Sequence, residues 1–469
     1  MSRAGNSLRR AALLLCVLAP AVALHAQAAP AAQGAAAPAA APTAEDQAAK
    51  LEAQRRDTIR YGIDSEVSDL VTSLTTERDG RYNDDLLSLV SSSRNVKLRI
   101  SILDFLAALE WKGAEALALG IVENRDNSDA DLVASSLSYL AAIRSKDALK
   151  YSDALIKEDN KKLLPALVKL MGRSGGEPEV KMLLDWFDSD SAIPALKEEA
   201  VKALGEIGSA TAAARLEKFV QDTGGGKAAR MFACDALAKI KATSSVAPLV
   251  KTANDADPNV RTSAIEALGT FAGASAASGE EARGELVQAL RDSYVKARIA
   301  ACKAVAAGKV TAAIPFLRYK AQSDPEKAVK TEACRSLAIM GSFPFLRERL
   351  EDKKEDSELR VLCFGLLARY DPAGSMPVLA ARLSAEAAEK ERSFYTSLAR
   401  EVANADKAPG IGKLARILLA DQEYLIRIAG IEWARKNKAQ DLKADLENLA
   451  KNDPSAMIKK RAADALTAF

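Results

Sequence analysis

Apolar residues recur at helical spacing along most of the chain. In DPNVRTSAIEAL, residues 257–268, Val260, Ala264, Ala267 and Leu268 fall on one side of a helix. Related wording returns in DSYVKARIAACKAV, DPEKAVKTEACRSL and DPSAMIKKRAADAL. Aligned on one apolar residue late in each segment, the copies fall at Leu74, Leu106, Leu140, Leu170, Leu204, Leu237, Leu268, Val305, Leu337, Leu366, Leu398, Trp433 and Leu466. Their spacing, 29 to 37 residues, leaves room for two helices of about ten to fourteen residues with short turns. A period in this range marks a stacked array. The pattern predicts an all-α protein, an α-solenoid of about 12–13 stacked helical hairpins, over residues 55–469.

The second helix of each hairpin carries the stronger pattern. Alanine stands four residues before the aligned position in most copies, as at Ala200, Ala264, Ala301 and Ala333, and small residues there let neighbouring helices approach closely. A base stands seven before it at Arg99, Lys197, Arg230, Arg261, Arg298, Lys330 and Lys459, and is displaced by one at Arg360, Arg392 and Arg427. An aspartate precedes the base by six in Asp255–Arg261, Asp292–Arg298, Asp324–Lys330, Asp421–Arg427 and Asp453–Lys459. The acid is expected in the turn, beside the free N–H groups of the second helix. The base, nearly two turns along, can reach an acid of the neighbouring unit. These ten residues are therefore expected to form a structural ladder that sets the stacking register.

The first residues change the picture of compartment and charge. MSRAGNSLRR carries Arg3, Arg9 and Arg10 without an acid, and a short apolar run and AQA at 26–28 follow. This reads as a secretory signal peptide over 1–28, followed by an Ala/Pro-rich disordered linker over 29–54 whose end can be helical. The expected location is periplasmic or secreted, with an uncleaved membrane anchor as the alternative. No transmembrane segment is expected after cleavage. The full chain holds 66 basic and 63 acidic residues. Loss of the three leader arginines would balance them, which argues against nucleic acid as a partner. The single histidine, His25, would leave as well, removing imidazole as base or metal ligand.

The D-P-x-V-R-x-x-A-x-x-A-L phrase of 257–268 and its copies resemble HEAT repeats, most closely the short HEAT-like units of the phycobilin-lyase type. The resemblance covers roughly 58–469 and is strongest over 195–340. It implies an α-solenoid, a HEAT-like superhelix, whose second helices line the concave face. It implies little about function, because such arrays serve as scaffolds, transport receptors, lyases and DNA glycosylases.

No catalytic, cofactor-binding or metal site is expected. Cys234, Cys302, Cys334 and Cys363 each lie three residues before an aligned position, which reads as small apolar filler rather than redox or metal chemistry. Helix axes about 8–10 Å apart are too distant for disulfides between units. TGGGK at 223–227 lacks the spacing of a phosphate loop. The longest connection, AGASAASGEEARG at 272–284, reads as a surface loop. Trp111, Trp186, Phe394, Tyr395 and Trp433 are candidate core residues, or partner anchors where exposed. The expected function is a non-catalytic scaffold or adaptor in the cell envelope, binding other proteins along the concave face. The alternatives are a structural envelope protein on a polymer or lipid surface, and a HEAT-like enzyme. The last helical unit carries no clear polar cap, which leaves self-association through it open.

Overall fold

The computed structural model describes residues 44–188, 194–224 and 226–469. The expected signal peptide and the first part of the linker lie outside the described residues. The end of the linker does not: Ala44–Tyr61 is an α-helix, so the boundary expected at 54/55 falls within a helix. The reason is local, because Ala, Leu, Gln, Lys and Arg there replace the prolines upstream and favour helix. Contacts divide the chain into two compact units, Met1–Arg55 and Arg56–Phe469.

The described residues form 27 α-helices, many entered through a single 3₁₀ turn. They pair into hairpins whose second helices are Asp64–Glu77, Val96–Ala108, Ala130–Ala142, Leu164–Ser174, Pro194–Ile207, Lys227–Ile240, Pro258–Gly269, Val295–Ala307, Lys327–Ile339, Ser357–Tyr370, Arg392–Asn404, Tyr424–Lys436 and Ala456–Leu466. Each second helix packs against the second helix of the unit before and after it, more extensively than consecutive first helices do. One apolar cluster runs from Ile59 to Ala465. A single hairpin cannot cover both of its apolar sides, so each unit buries the flank of the next.

Small residues explain the tight second-helix layer. A Cβ on Gly172 would lie 2.8 Å from the Cα of Ala203, and one on Gly205 would lie 2.7 Å from the Cα of Ala236. A Cβ on Gly269 would meet the Ala304 methyl at 3.0 Å. In three interfaces, then, a glycine at or just past the aligned position faces the alanine just before it in the next unit. Backbones approach where a side chain would hold them apart.

The helix ends repeat as faithfully as the cores. Arg78, Glu110, Arg144, Lys241, Lys309 and Lys438 adopt left-handed backbone, with φ between 45° and 59°, as do Gly208 and Gly341. In five units the N–H of the following residue returns to the carbonyl of the aligned residue, as in Asp79 to Leu74, Val310 to Val305 and Ser342 to Leu337. This closes the helix C-terminus in a Schellman motif. The same bond runs from Ala439 to Ala434. That places the repeat register at Ala434, one residue past the Trp433 aligned by sequence. The burial pattern likewise moves Leu366 to Leu367. With this correction Arg360 and Arg427 stand seven residues before their aligned positions, and their displacement disappears.

Candidate functional site

The ladder is built from one arginine and three kinds of acceptor. Arg298 gives Nε and Nη2 to the two carboxylate oxygens of Asp324, both at 3.0 Å. Its Nη1 turns back to the backbone carbonyls of Asp292 and Ser293, at 2.9 and 3.1 Å. Arg261 repeats the arrangement with Asp292, at 2.9 and 3.0 Å, and with the carbonyl of Asp255 at 2.9 Å. Arg427 varies it: Nη2 donates to Asp453 Oδ1 at 3.1 Å, Nε lies 2.8 Å from Oδ2 as an ion pair, and Nη1 donates to the carbonyl of Asp421 at 2.8 Å. The spacing of six between aspartate and arginine in one unit thus reflects a bond to the backbone of that aspartate. Its carboxylate serves the preceding unit and also accepts an N–H two residues on, as Asp292 does from Tyr294 at 2.7 Å and Asp453 from Ser455 at 2.8 Å. Asp255, Asp292, Asp324 and Asp453 therefore each brace the turn that leads into their own second helix and anchor the arginine before it.

Two rungs were not in the expected set. Arg230 pairs with Asp255 at 2.5 Å and donates to the Val220 carbonyl at 2.9 Å. Arg360 pairs with Glu391 at 3.0 Å, donates to the Leu350 carbonyl at 3.0 Å, and lies 3.9 Å over the Phe394 ring. Arg360 was legible once the register was corrected. Its acceptor was not, because a glutamate at the N-cap of the next second helix, Glu391, replaces the turn aspartate. Asp421 accepts the hydroxyl of Tyr395 rather than an arginine.

Two expected members stand apart. Among the described residues, neither Lys330 nor Lys459 enters an ion pair. For Lys330 the cause is visible: thirteen residues before Leu367, where other units place the aspartate, stands Lys354. The neighbouring turn closes instead on Arg349, which binds Glu355 at 3.0 Å and Asp352 at 3.2 Å.

Burial governs the electrostatics. Arg298, Arg230, Arg360, Arg427, Asp324 and Asp453 are all buried. Burial pushes the Asp255, Asp292 and Asp324 carboxyls up, yet hydrogen bonds from Arg230, Arg261 and Arg298, with backbone N–H groups, hold all three below the ordinary carboxylate value. The hydrogen bonds it donates to Asp292 hold the Arg261 guanidinium above its usual value. These pairs are far from the exposed ion pairs worth about 0–1 kcal/mol that a surface ladder would supply.

The cysteines are free and buried. Burial pushes the Cys234 and Cys302 thiols up to about 12. Cys363 is raised first by a hydrogen bond with Cys334 and then by burial. In the corrected register Cys363 occupies the slot that alanine fills elsewhere, so the four do not share one position. Trp186, Phe394, Tyr395 and Trp433 are buried core residues, and Trp111 is partly buried. In TGGGK the Gly224 N–H binds the Asp222 carboxylate at 3.0 Å, a local turn. The 272–284 loop is shorter than expected, because Ala277–Ala289 is helical. Among the described residues no group of His, Cys, Asp and Glu is placed to hold a metal ion. None of the described helices is long and apolar enough to cross a membrane.

What remains open to solvent is the outer side of the second-helix layer. Asp235, Glu266, Lys303 and Arg335 stand two residues before the aligned position in four successive units, all exposed. The row changes from acidic to basic along the stack. Ile339, Tyr370, Tyr424, Leu425 and Met457 add exposed apolar groups on these helices.

Paired helices, a buried ladder between units and a repeating exposed row define a HEAT-type solenoid. The profile of the Spirochaete HEAT repeat protein family matches residues 59–465, and the chain belongs to that family. Yeast importin-beta (Kap95p) is 14% identical with a TM-score of 0.51, over 89% of this chain and 65% of the importin. The chain thus spans less than two thirds of the importin's length. The complex of CpcE and CpcF of phycocyanin lyase from Nostoc sp. PCC7120 is 19% identical at a TM-score of 0.31, over 51% of this chain and 92% of that one. The Escherichia coli protein YibA is 19% identical at 0.35, over 62% and 92%. The importin match supports the fold; the other two carry no further argument. No curated protein matches the sequence.

Proposed function

We propose that the protein is an exported, non-catalytic scaffold that binds segments of other proteins along the exposed side of its second helices. One observation carries this reading: equivalent positions in successive units present a continuous row of exposed charged side chains, Asp235, Glu266, Lys303 and Arg335. Solenoids use such extended repeated surfaces for binding. The ladder arginines are spent on holding the units together and leave this row free for a partner. Export is supported by the basic, apolar and small-residue order of the first 28 residues.

Site-specific photocrosslinking tests the reading. A photoreactive residue at Glu266 or Lys303 is expected to capture discrete protein bands from an envelope extract. The same residue at Lys218, exposed on a first helix, is expected to capture fewer. Equal capture from both sides, or none from either, rejects the second-helix surface.

A further inference from the structure

A cavity of about 270 Å³ opens where the second helices Lys327–Ile339, Ser357–Tyr370 and Arg392–Asn404 meet the loop after Asn404. Gly365 makes room for the Glu401 carboxylate within it: a Cβ there would lie 2.6 Å from Glu401 Oε1. Among the described residues the Glu401 side chain has no hydrogen-bond or ion-pair partner, and burial alone pushes its carboxyl up. The walls carry three cations, Arg335, Arg369 and Lys407. Arg335 meets Glu332 only at 3.5 Å. Arg369 lies 6.0 Å from the Tyr370 ring, and neither Arg369 nor Lys407 forms an ion pair among the described residues. The remaining acid on the wall, Asp406, is held by Lys436 at 3.2 Å. The cavity therefore has uncompensated positive charge at its walls and one carboxyl whose hydrogen-bonding capacity is unused. Exposed Ile339 lies one turn beyond Arg335 on the same side of its helix, and exposed Tyr370 ends the next.

We propose that this cavity receives an acidic segment of a partner polypeptide, with its side-chain carboxylates on Arg335, Arg369 and Lys407 and a backbone N–H donating to Glu401. The proposal rests on the scaffold reading and names the chemistry of what it binds. The cations select negative charge. The unpartnered acceptor selects a ligand that also brings a donor, which a peptide backbone does and a simple anion does not. The flanking Ile339 and Tyr370 suit a chain that continues past the cavity along the helix row.

The test uses the full chain and an end-capped, fluorescein-labelled hexaglutamate, with hexalysine and inorganic phosphate as competitors, read by fluorescence anisotropy. Hexaglutamate is expected to bind, and neither hexalysine nor equimolar phosphate to displace it. Arg369→Glu with Lys407→Glu is expected to weaken binding by about tenfold or more. Lys218→Glu, on a first helix, is expected to change it by less than about twofold. Gly365→Ala, whose added methyl would displace the Glu401 carboxylate from its place, is a second variant that keeps the wall charges and is expected to weaken binding too. Circular dichroism checks that each variant folds. Hexalysine binding as tightly as hexaglutamate, full displacement by phosphate, or unchanged affinity in the double variant overturns the proposal. If the double variant still crosslinks the same partners through Glu266 and Lys303, the cavity assignment falls and the scaffold reading stands. If hexaglutamate binds through the cavity while no partner is crosslinked, the scaffold reading falls instead.

Discussion

Arg298 holds both carboxylate oxygens of Asp324 from the neighbouring unit, at 3.0 Å each, in a site where Asp324 is 2% exposed. Lys320 adds a third contact at 3.2 Å. Removing the acid leaves a buried guanidinium without its partner. Asp324→Ala is expected to destabilise the fold by about 3–5 kcal/mol, read as a shift in the urea midpoint. Replacing both partners by Met and Leu is expected to cost less, because the buried guanidinium then goes with its acid and only Lys320 loses a partner.

The ladder also sets a pH dependence. Asp255, Asp292 and Asp324 are held below the ordinary carboxylate value by their arginines, against the effect of burial. A carboxyl with a depressed folded value contributes stability above its unfolded value and loses it as pH falls through the folded one. Thermal stability is therefore expected to fall below about pH 4. In Asp324→Asn this acid-side slope is expected to be shallower, as calorimetry across pH 2–6 would show.

Gly205 lies against Ala236 so closely that an added Cβ would be 2.7 Å from the Ala236 Cα. Backbone on both sides leaves no flexible atom to yield. Gly205→Ala is expected to destabilise by about 1–3 kcal/mol, although alanine favours helix over glycine. A gain in melting temperature would show that the two helices can separate freely.

Lys241 and Lys309 hold left-handed backbone at φ 59° and 51°, a conformation that costs an L-residue roughly 1–2 kcal/mol. Lys241→Gly and Lys309→Gly are each expected to raise stability by up to about 1 kcal/mol. The matching control is Gly341→Ala at φ 74°, expected to lower it.

Burial of Cys234 and Cys302, with thiols pushed up to about 12, predicts that they resist alkylation in the native protein. Iodoacetamide at pH 8 is expected to leave all four buried cysteines unmodified until denaturant is added. Mass spectrometry of native and unfolded samples decides this.

The hairpin array was legible because one apolar period repeats through the chain, and stacking needs little beyond that period. The ladder was legible as a spacing, but its wiring was not. The six-residue interval between Asp292 and Arg298 arises from a backbone carbonyl, while the carboxylate serves Arg261. Sequence distance within one unit cannot separate these two bonds. The left-handed turns were hidden because Lys, Arg and Glu occupy most of them instead of glycine. That hid the true register at Ala434; at Leu367 the helix ends without a left-handed residue, and only burial shows the register there and with it the place of Cys363. The cavity at Glu401 was invisible for another reason: it depends on an absent side chain at Gly365 and on residues drawn from three units.

Where Lys354 stands in place of the turn aspartate, Lys330 has nothing to grip, and the regular coupling between units is interrupted once in the middle of the strongly paired region. The junction between Lys327–Ile339 and Ser357–Tyr370 is bridged instead by Lys327, which meets Asp356 at 3.1 Å and Glu358 at 2.6 Å near the surface. Its charge coupling, beside the helices that frame Glu401, is therefore of the kind that added salt screens.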